Sequence, residues 1–439
     1  MEKTNDRNLN GYKSRMLRHT RDMTMSRSDM KILFYFLATL AVSKAADLDS
    51  IYSADELSAI DPSILEDARL DFEGLTKKYG YPSERHTVKT KDGYLLKVDR
   101  IPYGKQCQEK NITRVPVLFQ HGLLSHSIDS IIMGPEKGLG YILADACFDV
   151  WISNSRGNRQ SRAHVTLSTK DAKFWDFSWH ELGVYDLPAV IDYIIEVTGQ
   201  PSLHYIGHSQ GTTQFFVFGS LVPEYSSKIR SAHMLSPVAY MKRVQSPLIR
   251  FLLLFKDPIQ AVVKMIGLRE LLPTSDLIKF LGSEICTERY PTLSKLCTNL
   301  LFLLCGFDEA QTNSTMIPVI AGHTPAGGSV KQLLHYMQAI ESGEFRQYDH
   351  GTIRNLFKYG SIRPPKYPLQ NIKIPVAFYF GDNDYLSEVN DMHLLSEQMP
   401  NLIGKFRAPW KDFNHLDFIW AIDLKPLLSD KIISMLRRY

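Results

Sequence analysis

Leu203-His-Tyr-Ile206, followed by Gly207-His208-Ser209-Gln210-Gly211, is the stretch on which the fold turns. The first four residues read as a short buried strand, and helical patterning begins at about Gln210. A Gly-x-Ser-x-Gly sequence alone is a weak signal. Between a strand and a helix it predicts a tight turn that lifts the serine clear of the backbone, with glycines where neighbouring chain crowds in. Ser209 is therefore a candidate nucleophile, which needs a general base and a group to orient that base.

Outward from this turn the pattern repeats. Val115–Gln120 reads as a buried strand ended by His121-Gly122, Gly138–Ala146 as a helix and Phe148–Ile152 as the next strand. Leu187, Ile191, Ile194 and Ile195 recur at helical spacing, with Asp186 and Pro188 expected as cap and first-turn residue. Ala232–Leu235 is another strand. Strands and helices alternating at such short intervals predict a parallel sheet with crossover helices. The rhythm breaks over residues 236–368, which read as mainly helical, with apolar runs at Leu248–Phe255 and Leu300–Leu304. It resumes with the strand Ile374–Phe380. Residues 46–235 and 369–439 thus form one core around an insertion, and residues 46–80, polar and acidic, read as a surface segment.

In folds that present a serine this way the chain order is serine, acid, histidine. Six histidines follow Ser209, but only His415 lies beyond the resumed strand in a loop-like stretch, Phe413-Asn-His-Leu416, close before a helix. His393 reads as a surface residue. The acid belongs in the loop after that strand, where Gly381-Asp382-Asn383-Asp384 offers two candidates. Stabilising an oxyanion takes two backbone N–H groups. One comes from Gln210, after the nucleophile; the other belongs to the segment His121-Gly122-Leu123-Leu124.

Composition narrows the function classes. The formal charge of +4 resides in the leader, since beyond residue 45 there are 42 basic against 43 acidic side chains, and nothing favours nucleic acid. Residues 1–45 read as a leader with a signal peptide: Lys31, an apolar run of 11 residues from Ile32 to Val42, then Ser43-Lys44-Ala45. A spanning helix takes roughly 20 apolar residues, so secretion is expected rather than anchoring. Met30 would make a better start for such a signal than Met1. Five cysteines (107, 147, 286, 297 and 305) suit an oxidising compartment and leave at least one thiol unpaired. Asn111 and Asn313 open glycosylation sequons. No His/Cys/Asp cluster has metal-ligand spacing, and no cofactor is expected.

Further motifs carry a resemblance: Tyr79-Gly-Tyr-Pro-Ser83, Arg100-Ile-Pro-Tyr-Gly104, Gln120-His-Gly-Leu-Leu124, Asn154-Ser-Arg-Gly-Asn158, Phe174-Trp-Asp-Phe-Ser-Trp-His-Glu181 and Asn414-His-Leu-Asp-Phe-Ile-Trp420. From about residue 65 to 425 the chain is similar to the acid lipases, the gastric and lysosomal family, and to its insect members in particular. The resemblance implies an α/β-hydrolase fold: a mostly parallel central sheet, helices on both faces and an inserted helical cap with a lid near residues 275–305. It implies Ser209 as nucleophile, His415 as base, Asp384 rather than Asp382 as acid, and Leu123 with Gln210 as the oxyanion hole. A Cys286–Cys297 disulfide and a free Cys305 are implied in the same way. Cys147 and Asp382 stand where relatives often have glycine. The expected substrate is a lipid ester at an oil–water or membrane interface, in a secreted or lysosomal setting, with no obligate protein partner. The competing expectations are a general carboxylesterase for smaller esters and an inactive hydrolase-fold protein that binds lipid.

Overall fold

The computed structural model describes residues 62–108, 112–272 and 291–439. Its main sheet is built from β1 (Glu84–Lys89), β2 (Tyr94–Ile101), β3 (Pro116–Gln120), β4 (Asp149–Ser153), β5 (Ala163–His164), β6 (Leu203–His208) and β7 (Ile229–Leu235). After a separate antiparallel pair, β8 (Glu270–Leu271) with β9 (Gly328–Ser329), the main sheet closes with β10 (Val376–Phe380) and β11 (Leu402–Arg407). The order is β1-β2-β4-β3-β6-β7-β10-β11, with β5 added to β2. From β4 to β11 every pairing is parallel, whereas β1 and β2 are antiparallel.

The central strands have no polar face because both faces are covered. In β3, Val117 and Phe119 join one buried cluster and Leu118 the other, as the two-residue period of a strand dictates. Helices Leu187–Thr198 and Gln210–Leu221 fill the Leu118 side, and helices Leu139–Asp145 and Asp430–Leu436 fill the opposite one. Between β7 and β10 the chain is mainly helical: Pro247–Leu254, Lys256–Ile266, Pro291–Cys305, Ile317–His323, Val330–Ser342 and Thr352–Tyr359. Among the described residues no helix is long and apolar enough to cross a membrane.

Two sequence expectations are corrected, and one feature is new. Residues 62–78 are not a surface segment: they form helices Pro62–Arg69 and Phe72–Lys78, and Phe72 and Leu75 are buried in the core. Asp186 does precede the helix Leu187–Thr198 and Pro188 lies in its first turn, but Asp186 makes no capping hydrogen bond: the chain is already helical from Trp179 through a π-turn at Leu182–Asp186, and its carboxylate binds Arg156 instead. The disulfide framework contains a bond that was not expected, Cys107–Cys147, spanning 40 residues. Cys147 has φ +71°, the left-handed conformation that glycine adopts most readily, one residue past the Ala146 C-cap of the helix Leu139–Asp145. That conformation favours glycine; the cysteine in its place is tied to Cys107. Cys297 is also disulfide-bonded, Cys286 lies outside the described residues, and Cys305 is a buried free thiol.

Candidate active site

β6 delivers His208 and the helix Gln210–Leu221 departs at once, leaving Ser209 at the apex with φ +53° and ψ −118°. This is a conformation that costs a non-glycine residue on the order of 1–3 kcal/mol, supported by its surroundings. The flanking glycines are sterically required. A Cβ on Gly211 would sit 2.2 Å from the Gln120 carbonyl oxygen, and one on Gly207 2.8 Å from the Gly211 backbone. Thr212 fixes the turn from behind: its Oγ1 donates to the Ser209 carbonyl (2.6 Å) and accepts from Val238 N–H (2.8 Å).

The chain order predicted from sequence closes in space. Ser209 Oγ lies 2.8 Å from His415 Nε2, and His415 Nδ1 lies 2.9 and 3.0 Å from the two oxygens of Asp384. His415 and Asp384 are both buried. Asp384 Oδ1 also accepts N–H bonds from Leu386 (2.9 Å) and Ser387 (2.8 Å). Burial alone would raise the Asp384 carboxyl. The charge and hydrogen bond of His415, with those of Ser236 and Ser387 N–H, hold it below its ordinary value, so it is a carboxylate. Asp382, two residues earlier, is an exposed partner of Arg407. His415 is set by its own loop. Asn414 N–H donates to Asp417 (2.6 Å), the Asn414 side chain donates to the Gly306 carbonyl (3.1 Å), and His415 N–H donates to the Cys305 carbonyl (3.3 Å).

Around the serine the other imidazoles are kept neutral. Burial, with His415 close by, lowers His208 to about 3, and its Nε2 donates to the His415 carbonyl at 2.9 Å. Burial lowers His121 to about 4; its Nδ1 donates to the Gly122 carbonyl (2.7 Å) while Nε2 accepts from Ser155 N–H (3.1 Å). These bonds shape the loop that leads to Leu123. Gly122 is so close to the elbow that a Cβ there would lie 3.2 Å from Ser209 Cβ. Leu123 follows it, and Gln210 opens the helix, whose first-turn N–H groups have no carbonyl partner within the helix. Among the described residues no group of side chains could hold a metal ion. The sequon residue Asn111 lies outside the described residues, and Asn313 caps the short turn Ser314–Met316 through Thr315 N–H (3.2 Å).

Sequence reasoning missed Ser236. This residue follows β7 at φ +53°, donates its hydroxyl to Asp384 Oδ2 (2.5 Å) and sits 2.6 Å from His415 Nδ1. Nothing local marks it, since it joins the site only when β7 and β10 pair. A hydrogen bond to a charged group is worth about 1.5–3 kcal/mol, so Ser236→Ala is expected to lower kcat on a soluble ester by about 10- to 100-fold with KM unchanged. Steady-state kinetics checks this, and an unaltered kcat would remove Ser236 from the site.

Comparison with known proteins agrees in extent and kind. The family model for a partial alpha/beta-hydrolase lipase region matches residues 72–134, and that for the alpha/beta hydrolase fold matches residues 115–262. Lipase 3 of Drosophila melanogaster is 42% identical, over 82% of this chain and 91% of its own. The human lysosomal acid lipase/cholesteryl ester hydrolase is 39% identical, over 89% and 96%. Human gastric triacylglycerol lipase is 41% identical, over 82% and 88%. A solved structure from Sulfolobus solfataricus superposes with a TM-score of 0.53 at 13% identity, over 81% of this chain and 94% of that one, a likeness of fold alone.

Proposed function

This chain belongs to the acid lipase family and is a carboxylic ester hydrolase, and we propose that it cleaves neutral lipid esters, triacylglycerols or steryl esters, through an acyl-enzyme on Ser209. The observation that carries this reading is the unbroken contact chain Ser209–His415–Asp384. In the reaction Ser209 Oγ attacks the ester carbonyl carbon and its proton passes to His415 Nε2. Asp384 holds the ring in the tautomer that leaves Nε2 free to accept, and stabilises the imidazolium that forms. The carbonyl oxygen, now an oxyanion, is received by the N–H groups of Leu123 and Gln210. Collapse expels the alcohol with the proton from His415. Water then repeats the sequence on the acyl-enzyme and releases the fatty acid.

The cap favours a long acyl chain. The apolar helix Pro291–Cys305 ends against the site, where the Cys305 carbonyl accepts N–H bonds from both Tyr385 and His415 (3.3 Å each). Phe302 and Cys305 on this helix are buried, while Leu300 and Leu303 are exposed. Such a helix covers an apolar substrate as readily as it packs on protein. Apolar burial yields about 25 cal/mol per Å², so a long chain gains binding energy that an acetyl group cannot recover. Lid residues 275–290 lie outside the described residues. The signal peptide, the glycosylation of Asn111 and Asn313 and delivery to the cell exterior or to lysosomes belong to the same reading; lysosomal and gastric relatives support the delivery.

The test is a series of esters from acetyl to oleoyl, offered dissolved and emulsified. The expected result is a kcat/KM that rises with chain length and a rate that increases past the solubility limit. A preference for dissolved acetyl or butyryl esters, without a rise on emulsion, would replace the lipase reading by a general carboxylesterase.

A further inference from the structure

The helix Thr352–Tyr359 stands on the fold with its polar side inward. Ile353, Leu356 and Phe357, at i, i+3 and i+4, share one face, and they are 73%, 53% and 87% exposed. The buried side carries Asn355, whose amide donates to Asp349 Oδ1 (2.8 Å) and to the Ile362 carbonyl (3.1 Å) and whose oxygen accepts from His350 N–H (2.9 Å). Tyr359 donates its hydroxyl to the Tyr348 carbonyl (2.8 Å). Ile362, just beyond the helix, is 59% exposed. Single exposed apolar side chains are ordinary on any protein. Four large ones within ten residues, on an element that buries its amide instead, mark a contact surface.

Charge says what the contact is. Arg354, Lys358, Arg363 and Lys366 are all exposed around these apolar residues, and from His350 to Gly381 there is no Asp or Glu. Lys366 is paired with Glu344 (2.7 Å) and Lys358 touches His350 (3.2 Å). Arg354 and Arg363 have no ion pair among the described residues. A second copy of the chain would meet this face with the same cations, because a two-fold contact sets like surfaces together. A lipid surface with anionic headgroups fits both features at once: the apolar tips enter the acyl boundary and the cations remain at headgroup level. We propose that the face made by Ile353, Leu356, Phe357 and Ile362 with Arg354 and Arg363 docks the enzyme on anionic lipid surfaces. It rests on the reading that the substrate is an insoluble lipid, and it lies outside the catalytic constellation.

The test uses flotation of the full chain with vesicles of ether-linked phosphatidylcholine, with or without about 30 mol % ether-linked phosphatidylglycerol. The wild type is expected to bind the anionic vesicles. Ile353→Ser with Phe357→Ser should weaken that binding about tenfold, and Arg354→Glu with Arg363→Glu should abolish the preference for anionic lipid. Both double variants should keep the wild-type kcat on a dissolved ester and lose rate on an emulsified one. Wild-type binding in both double variants overturns the proposal, as does a wild type that ignores anionic vesicles. So does a dimer lost with Phe357→Ser while vesicle binding persists. Turnover of a detergent-dispersed long-chain ester reads the lipid specificity separately, so failure there does not mimic failure of docking.

Discussion

Ser209→Ala is expected to fold and to lose ester hydrolysis by a factor on the order of 10⁵, because nucleophile, base and acid act as one unit. His415→Ala should cost a similar factor, since among the described residues no other imidazole is hydrogen-bonded to Ser209 Oγ: His208 faces the His415 carbonyl and His121 the Gly122 carbonyl. Asp384→Asn should lose about 10⁴-fold, as the amide no longer holds His415 in the accepting tautomer. Asp382→Asn is the control, expected near wild type, because Asp382 is exposed and bound to Arg407. Rates on one dissolved ester, with circular dichroism to verify folding, check all four. A crippled Asp382→Asn beside an active Asp384→Asn would reverse the assignment of the acid.

The second large effect lies in the support of the site. Arg156 is buried, and its guanidinium binds Asp186 (2.6 and 2.8 Å) and Asp92 (2.5 and 2.9 Å) while lying 3.9 Å from the Tyr94 ring centre. Burial opposes its charge, yet the two carboxylates hold its pKa above the ordinary arginine value. Removing one partner of such a group strands the other charges in the interior. Arg156→Ala is therefore expected to destabilise the fold by about 3–5 kcal/mol, read from denaturant unfolding. Arg156→Lys should recover only part of this, since a lysine cannot reproduce the fork that grips both carboxylates. A loss below about 1 kcal/mol, the scale of a surface ion pair, would mean that the network contributes no more than one.

What could be read from sequence was what local sterics and hydrophobic period determine. The glycines around Ser209 are required by backbone a few residues away, and β3, β4, β6, β7 and β10 are apolar because both their faces are covered. The loop that carries His415 is marked by its own sequence, before the helix Asp417–Trp420. What depends on distant segments was hidden. Ser236 meets Asp384 across 148 residues, and Asp186 meets Arg156 across 30. The Cys107–Cys147 bond had no signature, as five cysteines allow many pairings and their spacing selects none. β11 escaped notice because it lies at the sheet edge, half-exposed, without the apolar run of a central strand. The helices of residues 62–78 present too few apolar residues, Phe72 and Leu75 among them, to show a clear period.

The most direct measurement of Ser209 as the nucleophile is active-site labelling with a long-chain alkyl phosphonate ester, read by peptide mass spectrometry alongside residual activity. Attack by Ser209 Oγ on phosphorus expels the leaving group and leaves a stable adduct resembling the tetrahedral intermediate. The expected result is one adduct per chain, on the peptide that contains Ser209, accumulating in proportion to lost activity and absent from Ser209→Ala. Inactivation that leaves Ser209 unmodified, or an adduct on another residue that tracks the loss, would contradict the account.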